Sequence, residues 1–167
     1  MVEATNYLVQ AVLIGAGATA TMDGWTAARK RLLGIAPLDY GLVGRWIGHL
    51  LRGRFRHDQI ADSPPVQGER LIGWGAHYLI GIALAAMLLA IWGLDWVRRP
   101  TIGPPLVLGI GSVIFPFLLM QPGMGLGVAA SRTSHTMAAR LHSLLTHAIF
   151  GLGLYVSGWL TSLLSMV

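Results

Sequence analysis

Three ionisable residues, Asp23, His77 and His147, fall inside long apolar stretches of this chain. Such a side chain costs about 2.5 to 3.5 kcal/mol on insertion scales at the centre of a bilayer, so it usually faces a bundle interior and marks a site. A carboxylate and two imidazoles are also the groups that ligate a metal, hold a haem or relay protons. Each lies on a stripe of small or polar residues at four-residue spacing: Gly15 and Thr19 before Asp23, Glu69 and Gly73 before His77 with Gly81 after it, Ser143 before and Gly151 after His147. Such stripes let a neighbouring helix approach closely. His49 and Gln121 are second-rank members of the same candidate ligand-binding set.

Several chemistries compete for these residues. As a metal site, neutral imidazole from His77 and His147 suits Zn, Cu, Fe or Ni, with Asp23 supplying an oxygen. As a haem site, His77 and His147 are the axial pair. A small polar ligand uses the same set. Transport is the alternative from another class: Pro116 removes the amide that would bond the Ser112 carbonyl, the freed carbonyl could line a cavity, and Gly123, Gly125 and Gly127 could gate it. In a non-catalytic scaffold or assembly protein the same residues are interhelical glue. His142 and His147, five apart, sit about 140° around a helix and do not share one ion. Met120 and Met124 read as apolar filling, and His57 and His135 as solvated loop residues.

The elements that position these residues follow from composition. The 167 residues are 54% hydrophobic and only 11% charged, too few charges for a water-soluble surface. A hydrocarbon core of about 30 Å takes about 20 apolar residues as helix. Four segments meet that length, at about 7–26, 71–92, 102–120 and 141–163. The reading is therefore all-α: one integral membrane domain, a four-helix transmembrane bundle. Ala18-Thr19-Ala20 resembles a signal cleavage site, but Glu3 and the lack of an early Lys or Arg argue for a retained span. Eight Lys or Arg lie between spans one and two and two between spans three and four, against only Arg98 and Arg99 on the other side. That bias puts both long loops in the cytoplasm and both termini outside. By helix rise, Asp23, His77, His147 and Gln121 then fall at one level, about 10 Å or less inside the cytoplasmic boundary.

Between the first two spans, Leu42, Val43, Trp46, Ile47, Leu50 and Leu51 recur at helical spacing opposite Arg45, His49 and Arg52. With Asp39 as N-cap, residues 40–52 read as a short amphipathic helix on the cytoplasmic leaflet, cations toward anionic headgroups, or else as a lid. The net charge of +5 is thus assigned to lipid, because no aromatic-interleaved patch suggests nucleic acid. Cysteine is absent, which removes thiolate catalysis and Cys-based metal sites. No H-x-x-x-H, H-E-x-x-H, G-x-S-x-G or Walker pattern occurs. A homo-oligomer is compatible with all of this.

The run Arg45-Trp46, His49, Gly53, Phe55, His57, Ile60, Pro65, Glu69, Gly73-Trp74 and His77-Tyr78 is followed by Met120-Gln121-Pro122-Gly123, Gly125 and Gly127. The chain closes with Arg140, Ser143, His147, Phe150-Gly151 and Gly153-Leu154-Tyr155. Together they resemble an uncharacterised family of small bacterial membrane proteins, classed as a domain of unknown function. The resemblance implies a four-span inner-membrane protein and no activity, cofactor or catalytic residue.

Overall fold

A computed structural model describes residues 2–164, with side chains for residues 5–163. Every regular element among them is helical: α1 (Val2–Leu33), α2 (Tyr40–Leu50), α3 (Glu69–Trp92), α4 (Asp95–Arg98), α5 (Gly103–Gly111), α6 (Gln121–Gly123) and α7 (Thr136–Leu164). Three helices are long and apolar enough to cross a membrane: Glu69–Trp92, Gly103–Gly123 and Thr136–Leu163. They match the expected second, third and fourth spans, the last starting five residues early. α1, at 32 residues, is long enough to cross but less apolar, diluted by Gln10, Asp23 and the small residues between Gly15 and Thr21.

Pro116 interrupts the Gly103–Gly123 helix in the expected place. The Ser112 carbonyl accepts instead from Phe115 N–H at 3.1 Å, and Pro116–Met120 widens into a π-helical turn. The carbonyl expected to line a cavity is therefore satisfied within its own helix.

The chain packs as two compact units. The first comprises the chain up to Ala36, Tyr78–Gly111 and the chain from Leu145. Its core gathers Ala11, Ile14 and Ala18 of α1 with Leu84, Leu88 and Leu89 of α3, Leu108 of α5, and Phe150 and Leu154 of α7. α1 lies against the α3 backbone: a Cβ on Gly15 would stand 2.5 Å from Ile82 Cα. α5 and α7 touch as closely, since a Cβ on Gly109 would stand 2.5 Å from Gly151 Cα. The small-residue stripes thus serve as helix contacts. Large apolar side chains remain exposed on the outward faces, among them Leu79, Val107 and Leu160.

The second unit comprises Pro37–His77 and Ser112–Leu144. Asp39 caps α2 as expected, its Oδ1 accepting from Gly41 N–H at 2.8 Å. The packed face of α2 is Gly41, Val43, Gly44, Gly48 and His49, whereas Leu50 and Leu51 are exposed. The glycine side of this helix is packed, and so is part of the apolar stripe, with Leu42, Trp46 and Ile47 against the cluster of Val43, Ile60 and Met124. The glycines explain the former: Gly44 sits where a Cβ would collide with the Glu69 carbonyl, and Gly73 where one would collide with that of Tyr40, so two backbones meet where side chains would separate them.

Candidate functional site

In the second unit the polar residues of α2 organise the loop that follows. Arg45 grips Glu69 through Nε and Nη2, both at 2.8 Å, and donates Nη1–H to the Ala61 carbonyl at 2.9 Å and the Ser63 carbonyl at 3.1 Å. The pair is shielded, with side chains 13% and 22% exposed, so Arg45 faces protein where the sequence suggested headgroups. One guanidinium fork fixes the middle of α2, the 61–63 turn and the start of α3 together. The Glu69 carboxylate also accepts from Val66 N–H at 3.0 Å.

His49 Nε2–H donates to the Pro64 carbonyl at 2.9 Å, and its ring meets that of His57 edge-on at 5.0 Å between centroids. His57 Nδ1 lies 2.8 Å from Ser63 Oγ. His57, expected in a solvated loop, is buried to 5% exposure. The 57–60 segment is strapped to the end of the third apolar helix by His57 N–H to the Gly123 carbonyl (3.0 Å) and Ile60 N–H to the Met124 carbonyl (3.1 Å). Phe55 and Ile60 bracket His57 with apolar residues, the one local signal that could have flagged this burial. Desolvation pushes the His57 imidazole below its ordinary value, and Arg54 and His49 push it the same way.

Two buried polar atoms of this unit have no hydrogen-bond partner: His57 Nε2 and Gln121 Oε1. His57 also lines a cavity of about 530 Å³ whose other walls include Arg54, Arg56, Asp58, Ser131 and Arg132.

The remaining expected site residues sit in other company. His77 Nε2 lies 3.0 Å from the Tyr40 hydroxyl, and its ring packs on Tyr40 and Trp74 at 4.3 and 5.9 Å. In the first unit, Asp23 Oδ2 accepts from the Tyr78 hydroxyl at 3.1 Å. His147 belongs to the α7 segment packed on α5, where its carbonyl would stand 2.8 Å from a Cβ on Gly109. Among the described residues no three His, Asp or Glu gather closely enough to hold a metal ion. Neither Tyr40 nor Tyr78 was among the ligand-binding candidates of the sequence, although Tyr78 adjoins His77 in the motif quoted above.

A family described as "Protein of unknown function (DUF2938)" matches residues 12–161. The chain belongs to this family. Residues 12–161 take in most of the first unit, all of the second, and Asp23, His49, His57, His77, Gln121 and His147. No curated protein and no solved structure matches the chain.

Proposed function

We propose that this chain is a four-span bacterial inner-membrane protein that binds a small polar ligand in the unit formed by Pro37–His77 and Ser112–Leu144. The fourth span is α1: Leu8, Val9, Val12 and Leu13 stay roughly half exposed or more on a helix whose other face is packed, as a lipid-facing helix requires. Its lower apolarity reflects small residues used for helix contact. The bias of Lys and Arg supports a cytoplasmic position for the loops of this unit, where the exposed Arg52 and Arg70 meet anionic headgroups. The termini are assigned to the outside; Met1 and residues 165–167 lie outside the described residues.

The ligand reading rests on one observation: His57, whose ring carries a buried Nε2 without a partner, lines an open cavity. Buried polar atoms are nearly always paired, so an orphan asks for a water, ion or ligand. The metal and haem versions have less support, because His77 and His49 each direct Nε2 at a protein oxygen. Asp23 and His77 suit a helix-tying role through Tyr78 and Tyr40.

Native mass spectrometry of the purified protein, with visible absorbance and elemental analysis, tests this. A bound small molecule is expected on the wild type and absent from His57→Phe. A bare wild-type mass, unchanged in His57→Phe, overturns the reading.

A further inference from the structure

The ligand's chemistry can be read from the walls of the cavity. Three arginines, Arg54, Arg56 and Arg132, line it against a single acidic residue, Asp58. Guanidinium is the side chain whose planar fork matches phosphate oxygens, and it stays charged at any physiological pH. Ser131 adds a hydroxyl able to donate to the same oxygens. His57, which lines the same cavity and has an unpartnered ring nitrogen, completes the polar set. The neighbouring cavity of about 270 Å³ shares Arg54 but sets it against Asp58 and Asp62, so it has no cationic excess.

The far wall is held in a demanding conformation. Ala129 and Ala130 both adopt positive φ, 47° and 58°, which side-chain-bearing residues rarely do. Arg140 Nε–H donates to the Ala129 carbonyl at 2.8 Å, and Arg132 N–H closes the loop on the Leu126 carbonyl at 2.9 Å. Such strain persists only where surrounding contacts over-determine it. Here it sets Val128, Ser131 and Arg132 around the opening.

We propose that this cavity is a phosphate-binding site, taking the phosphate of a small soluble phosphate compound or of an anionic lipid headgroup. The proposal rests on the polar-ligand reading above and names its ligand class.

Protein in nanodiscs of zwitterionic phosphatidylcholine would be titrated calorimetrically with inorganic phosphate at constant ionic strength. In parallel, its thermal unfolding would be compared between phosphatidylcholine and phosphatidylglycerol nanodiscs. Saturable phosphate binding assigns the soluble source, and stabilisation confined to phosphatidylglycerol assigns the lipid. Either response is expected to weaken about tenfold or more in Arg54→Gln/Arg132→Gln, since two of three charged forks are gone. Asp58→Asn should act in the opposite sense, tightening binding by about threefold through loss of the one repelling charge. A gain of this kind cannot come from misfolding. The proposal is overturned if phosphate does no more than chloride and phosphatidylglycerol no more than phosphatidylcholine, or if the arginine double variant responds like the wild type. A phosphorus-free adduct that still depends on His57 sinks the phosphate assignment and leaves the polar-ligand reading standing; no adduct at all removes both.

Discussion

At the scale of single residues, Arg45 and His57 divide the labour of the second unit. Arg45 is fully engaged, with Glu69 and two carbonyls as partners, whereas His57 has one ring nitrogen on Ser63 and the other on nothing. The difference predicts a pH signature. Burial, with Arg54 and His49 nearby and Asp58 opposing, depresses the folded-state value of His57 below the 6.5 of a free imidazole. Between those two values the unfolded chain binds the proton and the folded chain does not. The stability contribution is therefore complete above about 6.5 and is lost as pH falls through the lowered folded-state value, at up to about 1.4 kcal/mol per pH unit. Thermal unfolding in detergent from pH 7.5 to 5 should show this fall, and His57→Gln should flatten it. An unchanged slope in His57→Gln would place the titration elsewhere. Sequence alone identified the cap at Asp39 and the type of residue able to do chemistry. It missed His57, because a histidine between Arg56 and Asp58 has the local composition of a solvated loop, and its burial depends on carbonyls at Gly123 and Met124.

At the scale of elements, long apolar periodicity and proline placement were legible, and the packing of the glycine side of α2 was not. A glycine-rich polar stripe and an apolar stripe both satisfy helical amphipathicity. That the glycine side packs as well as Leu42, Val43, Trp46 and Ile47 depended on Gly44 and Gly73 admitting backbone contact that no single-helix pattern encodes. The same kind of contact holds the 55–60 segment. Gly125, at φ 94°, sits where a Cβ would collide with the Asp58 carbonyl. Gly125→Ala should therefore destabilise the protein by about 2 kcal/mol or more, combining positive-φ strain with a steric clash. Hydrogen exchange would localise the damage: the His57 and Ile60 amides should lose protection while the α1 amides of the first unit keep theirs. Uniform loss across both units, or none, would contradict the strap described here.

For the whole molecule, the number of spans is a question of parity. If α1 crosses with the three strongly apolar helices, the two ends of the chain lie on the same side; if it does not, they lie on opposite sides. Reporter fusions at each end should both read external, as should one within Asp95 to Thr101, while fusions near Asp62 and Thr133 should read cytoplasmic. A cytoplasmic reading at one end only would reduce the count to three. Composition made a membrane protein legible from the start, whereas α1 is hard to assign because it spends its apolarity on small residues at helix contacts.

The discontinuous build of the second unit has a consequence in time. Its first part ends at His77 and its second begins at Ser112, so during synthesis the amide of His57 waits for the carbonyl of Gly123 to be made. At roughly 5 to 20 residues per second, that interval lasts several seconds. Throughout it the arginine-rich segment is without its strap and within reach of proteases and chaperones. A ribosome stalled before residue 123 would leave a chain that already carries the second apolar helix but cannot finish the unit that precedes it, a natural substrate for membrane quality control.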